Sequence, residues 1–562
     1  MALRKPELRD QQIFIPELIS ERVEQGAHAA RFFRYLAGEL DLNLQRAYAL
    51  GTPPYCRTTL LAGIFYAMYR GYFGAADVRR FLEDSIGAQW ILCGMKLPSS
   101  RTIDRIIDEL LLEIESFYKQ ILQLCDSFGL IGGEIFYIDG TKKQANASKH
   151  KAMSYGRLNK KIDNGKETLK NLFKELRSVI DGFEELTDDE FESIILHNAT
   201  ETRTQLMKSH KQDLAERQAQ VFNIDSATEE PKNKAAVSEQ LKKRLVVMPN
   251  IEPENRNKAL EMLIDVAFTK SRVERMAEAK TRLEYQWAEE KGNVKIPDTR
   301  QINFTDPDSR IMLTKNHGVQ QAYNHMAIID AKANIIVGTY TSNSTSDQLG
   351  FIPAAENTKQ SYGSLSGTAL CGDAGFFSAD NIAYAIKEGI DFYASYPEAK
   401  SPYAKDKFTY DDEQNIYICP SGSILTAQGQ VSAEKCKYSN EAACNSCLNR
   451  SDCAKAKDSV RRIERDMIAD KLREDAKKKA QSDVGKDILK QRKHVAESGF
   501  GNMKTQDGFI QMHFRGMEKA GDEFDLRCAF RNIRKLFKVY LYSSSFQAIV
   551  HSSEKANYQN SA

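Results

Sequence analysis

Apolar residues between 17 and 130 recur at helical spacing: Leu60, Leu61, Ile64, Phe65 and Met68, then Ile103, Ile106, Ile107, Leu110, Leu111 and Ile114. Between the two sets, Pro98-Ser99-Ser100-Arg101-Thr102 reads as a turn opening a helix, with Ser100 or Thr102 as its cap. Residues 1–130 are thus expected to form an all-α N-terminal domain. A turn ahead of an amphipathic helix fits an ordinary helical bundle and a helix-turn-helix DNA reader alike. The period then changes: Glu134 to Asp139 is a short apolar run that predicts a buried strand ending in a carboxylate.

From about 154 to 292 the chain is charged and helical. Met276, Ala279, Leu283 and Trp287 fall on one face of a helix, which predicts a helical hairpin or short coiled coil with connections at Ala227 to Asn233 and Asn250 to Pro253. This block, 150–315, is read as an inserted helical arm. Strand character returns at His325 to Asp330 and Ile335 to Thr341, joined by a Lys332-Ala333-Asn334 turn. A polar helix-like stretch over Asp347 to Gln360 follows, then a strand at Thr368 to Asp373, a helix at Asn381 to Lys387 and a strand at Ile390 to Ala394. With the insert removed, this order is that of an α/β catalytic core with a ribonuclease-H-like mixed sheet covered by helices. Its pieces are expected at 131–149 (first strand), 316–398, and 456–562, where a basic helix over 456–497 leads to Glu497. Residues 399–455 form a second, Cys-rich insert.

With 562 residues, 41% hydrophobic and 28% charged, the chain has the makings of several packed domains rather than a disordered polymer. The longest apolar run, Leu60 to Tyr69, is too short to span a bilayer, and Met1 to Pro16 lacks the apolar core of a secretion signal. A cytoplasmic protein without membrane contact is expected. The net charge of +2 conceals an uneven distribution: residues 454–562 carry 23 Lys+Arg against 15 Asp+Glu, compatible with phosphate binding and equally with a solvated helix face.

Three carboxylates stand out: Asp139 in Ile-Asp-Gly-Thr-Lys, Asp373 in Cys-Gly-Asp-Ala-Gly-Phe, and Glu497 in the basic stretch with Arg492, Lys493 and Lys504. Both aspartates follow apolar strands and are closely followed by glycine. Neighbouring strands can present two carboxylates side by side, and a crossing helix can add a third. Two Mg²⁺ ions about 4 Å apart can then serve the attacking and leaving oxygens of a phosphodiester. Lys142, Arg492, Lys493 and Lys504 are candidates for DNA phosphate contacts. Lys504 lies seven residues past Glu497, about 10.5 Å along a continuous helix, although Gly499 and Gly501 favour a kink there.

These motifs, together with Asn303-Phe304-Thr305-Asp306-Pro307-Asp308-Ser309-Arg310, Tyr323-Asn324, Asp347 and Cys419-Pro420-Ser421-Gly422, make the chain resemble the DDE transposases of bacterial insertion sequences, in particular the insertion-sequence 1182 group, over nearly its whole length. The resemblance implies Asp139, Asp373 and Glu497 as catalytic ligands of Mg²⁺ (or Mn²⁺). It also implies a helical DNA-binding N-terminal domain, cleavage at the element's terminal inverted repeats, strand transfer into double-stranded target DNA, a homo-oligomer on DNA, and a nucleoid-associated location. The chain departs from the pattern at Lys490 and Lys493, where relatives often carry Tyr and Arg, and at Met326, where they tend to carry Gln. Two alternatives stay open: a metal-dependent nuclease of the same fold without strand transfer, and a catalytically inactive DNA-binding remnant.

Five of the ten cysteines, Cys419, Cys436, Cys444, Cys447 and Cys453, cluster in the second insert. Cys444-x2-Cys447-x5-Cys453 with Cys419 offers four thiolates for a tetrahedral structural Zn²⁺, with Cys436 a competing fourth ligand. Unliganded thiols in a compact insert are the other reading.

Overall fold

The structure is a computed structural model that describes residues 28–42, 56–93, 95–179, 187–196, 199, 256–292, 294–314, 318–397, 399–432, 434–454, 460–492, 495 and 509–559. The chain divides into two compact units, one of residues 1–146 with 311–562 and one of residues 147–310. The strands, in chain order, are β1 Ile135–Gln144, β2 Ala152–Ser154, β3 Gln301–Asn303, β4 Arg310–Thr314, β5 Gly318–Asp330, β6 Ile336–Ser342, β7 Ala369–Gly372, β8 Asp391–Ala394, β9 Thr409–Asp411, β10 Ile416–Ile418, β11 Ile424–Ser432, β12 Lys435–Ser439 and β13 Ile463–Asp466.

In the first unit the apolar spacings of the N-terminal region become helices, among them Arg57–Tyr69, Ser100–Leu112 and Ile114–Ser127. The two apolar series are buried: Leu60, Ile64, Phe65 and Met68 on the first, and Ile103, Ile107 and Leu110 on the second. Two local expectations change. Ser99, not Ser100 or Thr102, caps the helix, its side chain accepting the Thr102 N–H at 3.3 Å. The Ile103–Ile114 series is also broken at Glu113, where one helix ends and the next begins.

The central sheet has the order β4-β5-β1-β7-β8, with β6 also pairing β5. β5 runs antiparallel to β1 and β6, whereas β7 and β8 run parallel to β1 and to one another. Helices Phe351–Ser361 and Ala379–Lys387 make the two crossovers that parallel pairing requires. β1 differs from its expected extent. It does not end at Asp139 but continues to Gln144, because β5 is thirteen residues long and stays paired down to Gln144↔Ala322. Asp139 therefore lies within the strand.

Helix Met517–Tyr542 is buried along most of its length. Asn532 on it satisfies both backbone groups of Ile336 on β6, at 2.9 and 2.8 Å, and Tyr118 adds a bond to the Ile336 carbonyl at 2.8 Å. Each such bond removes a buried backbone group that would otherwise go unpaired. A second anchor joins residues 513–514 to this helix. Glu523, fully buried, accepts the backbone N–H groups of His513 and Phe514 at 2.8 and 3.1 Å and pairs with buried Arg527 at 2.8 Å.

The cysteine region is larger than expected. β13-β12-β11-β10-β9 form an antiparallel sheet reaching Asp466, with a small core of Phe408, Tyr417, Leu425, Tyr438 and Ile463. The expected basic helix over 456–497 is accordingly interrupted: β13 comes first, then helix Met467–Gln481, a bend at Ser482, and a helix over 483–492.

In the second unit, helices Tyr155–Val179 and Arg256–Lys291 pack together, and β2 pairs β3. Met276, Ala279 and Leu283 are buried against Leu158 and Ile162, as their spacing predicts. The expected connections at 227–233 and 250–253 lie outside the described residues.

Candidate active site

The β1–β7 ladder pairs Ile135↔Ala369, Phe136↔Leu370 and Tyr137↔Cys371. Asp139 lies within β1, two residues past the last pair, and Asp373 immediately follows β7, the strand paired parallel to β1.

Their surroundings differ. Successive side chains on a strand point to opposite faces, so Asp139 shares a face with Tyr137. The helix over 483–492 docks there: Tyr137 Oη donates to the Ile488 carbonyl at 3.4 Å, and Ile488 is buried with Tyr137, Cys371 and Tyr393. One turn further along that helix, the Arg492 guanidinium lies 3.7 Å from Asp139 Oδ1, both side chains being just under a quarter exposed. Val495, two positions before Glu497, packs against the same cluster. Asp373 is held differently. Its Oδ1 accepts the Gly375 N–H at 2.8 Å, which caps the short 3-10 turn Ala374–Phe376.

Lys142 lies on the other face of β1, with Gly140 and their register partners Asn324 and Met326. Its ammonium meets Asp347 at 3.1 Å, and the same Asp347 oxygen accepts Asn324 Nδ2 at 2.7 Å. The structure therefore brings Arg492 to Asp139 and Lys142 to Asp347. Glu497, Lys493 and Lys504 lie outside the described residues.

Sequence reasoning gave no site role to Asp347 or Asn324. Both are among the motifs that carry the resemblance, but Asp347 sits in a Ser-Thr-Ser-Asp-Gln run that reads as an ordinary helix start, and Asn324 lies just before the strand expected at His325 to Asp330. His325 was also passed over. It faces the Asp139 side, bonds Thr341 Oγ1 at 2.8 Å and stacks on Phe524. Burial, aided by the nearby Lys143 charge, lowers its pKa to about 3, so the ring is neutral at physiological pH.

Carboxylate oxygens are the donors a hard divalent cation prefers, and the chemistry of Asp139 and Asp373 fits one. Among the described residues, however, no three His, Cys, Asp or Glu side chains are gathered closely enough to hold a metal ion. Neither the two aspartates nor the cysteines form a closed ligand set as they stand.

Cys419, Cys444, Cys447 and Cys453 nonetheless line one cavity of the small β-sheet, together with Arg450 and Arg461. Cys436 does not line it; its thiol faces the Gly429 carbonyl on the β11–β12 ribbon. The tight Cys419-Pro-Ser-Gly-Ser turn, with Gly422 at φ +82°, directs the Ser423 N–H at Cys419 Sγ at 3.3 Å. Burial raises the Cys453 thiol pKa, and the neighbouring Cys444, Cys419 and Cys447 add to that while Arg461 opposes it.

Residues 418–537 match a family model described as a transposase DDE domain. That span takes in the cysteine sheet, the helix bearing Arg492, the position of Glu497 and most of helix Met517–Tyr542; it begins after Asp139 and Asp373. The match supports a transposase role in general and, with it, DNA as the partner. Such a domain implies a ribonuclease-H-like fold, and the mixed central sheet agrees. No curated protein and no solved structure matches the chain. Among the described residues no helix is long and apolar enough to cross a membrane.

Proposed function

We propose that this chain is a DDE transposase of the insertion-sequence 1182 type, which cuts double-stranded DNA at the terminal inverted repeats of its element and joins the freed ends to target DNA. What supports this reading is that Asp139 lies on β1 and Asp373 follows the end of β7, the parallel neighbour of β1, in a chain whose later part matches a transposase domain. Asp139 and Asp373, with Glu497 as third carboxylate, are the groups that would hold Mg²⁺ or Mn²⁺. When bound, such ions supply an activated water and stabilise the leaving oxygen.

The remaining work falls to the chain's own side chains. Arg492, beside Asp139, balances its charge and is poised to take a DNA phosphate. Lys142, Lys493 and Lys504 are further phosphate contacts. Two DNA ends call for two active sites, hence a homo-oligomer on DNA. The cavity shared by Cys419, Cys444, Cys447 and Cys453 is the place for a structural Zn²⁺, with the thiols drawing together around it.

The test incubates the full chain with labelled DNA carrying the flanking inverted repeats, with Mg²⁺ or with EDTA. Expected are metal-dependent cleavage and a joined product, both lost in Asp139→Asn, Asp373→Asn and Glu497→Gln. Cleavage without joining, even when a pre-cut end is supplied, identifies the nuclease alternative. DNA binding with neither step identifies the inactive remnant. Cleavage that survives EDTA or any one of the three substitutions defeats the assignment.

A further inference from the structure

The ladder between β1, which carries Asp139, and β7, which precedes Asp373, stops short of both aspartates: its last pair is Tyr137↔Cys371. Beyond β7, Gly140 to Gln144 of β1 pair with β5 on one side, and on the other Gln144 bridges Gln511, its carbonyl accepting the Met512 N–H at 2.8 Å. Asp347 lies over Gly140 and Lys142 of this stretch. A β-carbon built on Gly140 would stand 3.4 Å from Asp347 Oδ1, and one built on Gly375 would stand 3.6 Å from Oδ2. The Asp347 carboxylate thus lies just beyond the open side of both the residue after Asp139 and the turn capped by Asp373.

At both positions a side chain would crowd its neighbours. At Gly140 a side chain would press on Met326 Sδ at 3.1 Å and Asp347 Cγ at 3.3 Å; at Gly375 it would meet Asp373 Oδ1 at 3.0 Å. The carboxylate is itself held from β1 by Lys142 at 3.1 Å and from β5 by Asn324 at 2.7 Å. Asn324 is fully buried, and among the described residues its Oδ1 has no hydrogen-bond partner. Burying an amide with one end unsatisfied is costly, and here its other end is spent on Asp347.

We propose that Asp347 is a positioning residue of the candidate active site, setting the separation of Asp139 and Asp373 by bridging β1, through Lys142 and Gly140, to the Gly375 turn. This deepens the transposase reading and rests on it. Asp347 acts through its neighbours and needs no contact with DNA. Misplacement of reacting groups by about 1 Å can cost on the order of 100-fold in rate, so loss of the bridge should be felt in metal binding and turnover before it is felt in folding.

The experiment titrates Mn²⁺ into the full chain without DNA, reading free metal by electron paramagnetic resonance, and measures DNA end cleavage and thermal unfolding in parallel. Asp347→Ala should weaken Mn²⁺ binding and slow cleavage about tenfold or more, with KM for DNA within about threefold. It also strands the buried Asn324 amide, so its unfolding midpoint should fall, and the next variant separates the two effects. Asp347→Asn, which keeps an acceptor for Asn324 and loses the charge that holds Lys142, should fall between. In the double variant Asp347→Ala/Lys142→Ala, the second change should add little to the loss of Mn²⁺ affinity, which is read without DNA. Wild-type Mn²⁺ affinity and rate in Asp347→Ala overturn the proposal. So does wild-type Mn²⁺ affinity and rate in Asp347→Asn together with losses in Asp347→Ala that only track its lowered unfolding midpoint, since that is a merely structural role. Asp139→Asn is the control: if the wild type binds no Mn²⁺, or Asp139→Asn leaves binding intact, the transposase reading itself has failed and this proposal falls with it.

Discussion

Replacing Glu523 by glutamine removes the charge that ties residues 513–514 to helix Met517–Tyr542. Burial by itself would raise the Glu523 pKa; the Arg527 guanidinium and the His513 hydrogen bond outweigh it and hold the carboxyl at about 2, against 4.5 unperturbed. A shift of about 2.5 units corresponds to about 3 kcal/mol, at 1.36 kcal/mol per unit. The variant also strands Arg527, which is 1% exposed, and breaking one side of a buried pair costs about 3–5 kcal/mol. The two routes agree. Because the folded-state value is depressed, this stabilisation is present above about pH 4.5 and is lost as pH falls through about 2. In a chain of two units the cleanest assay is amide hydrogen exchange of peptides from 509–542, which isolates local opening. At pH 7 the variant's helix amides should exchange about 100-fold faster or more, and the difference from wild type should shrink as pH approaches 2. A change below about fivefold at pH 7, or a difference that persists undiminished in acid, would refute the pairing as the source of this anchor's stability.

Gly338→Ala should loosen the crossover helix Phe351–Ser361: the added carbon would stand 1.7 Å from Thr358 Oγ1 and 3.0 Å from its Cα, so backbone has to move. A loss of about 1–3 kcal/mol is expected, with reduced DNA cleavage because that helix follows directly from Asp347; an unchanged melting temperature contradicts this. Asp525 is pushed up to about 7 by burial and by the nearby Asp522 and Glu115, so its charging lowers stability as pH rises from about 4 through 7. Asp525→Asn should accordingly unfold at higher temperature than wild type at pH 8 and gain nothing at pH 4; a variant less stable at pH 8 rules this out. Cys444→Ser or Cys453→Ser should cut the zinc content of the purified protein, measured by plasma mass spectrometry, from about one equivalent to under half. Zinc-free wild-type protein grown in zinc-replete medium argues for unliganded thiols.

Periodicity exposed the central architecture because both the apolar strands and the helix faces are buried on one side or both. The strands at 325–330, 335–341, 368–373 and 390–394 were each located to within a few residues at their C-terminal ends. What it missed were features set by partners distant in sequence. The extension of β1 to Gln144 depends on how far β5 reaches, and nothing in Gly140-Thr141-Lys142-Lys143-Gln144 announces it. The same holds for β13: Ile463-Glu464-Arg465-Asp466 looks helical among its charges, yet it pairs β12, where Arg465 is buried against Tyr417 and Glu474. For the candidate site, the strand-end position expected of both aspartates holds for Asp373, which follows β7, but not for Asp139, which lies within β1. That Lys142 faces Asp347 across the sheet from Asp139 follows from alternation only once the strand is known to continue.

The position of the second unit bears on how the protein is made. β1 lies in the middle of its sheet, yet both strands that flank it, β5 and β7, are translated only after the whole of residues 147–310. At 5–20 residues per second, the roughly 170 residues from Gln144 to Gly318 keep Phe136, Tyr137 and Ile138 waiting for about 10 to 35 s. During that interval the intervening unit can fold on its own contacts, while an apolar strand stands unsheltered on the nascent chain. Ribosome-bound chaperones therefore have a defined target here, and slow synthesis after residue 144 would favour aggregation over assembly.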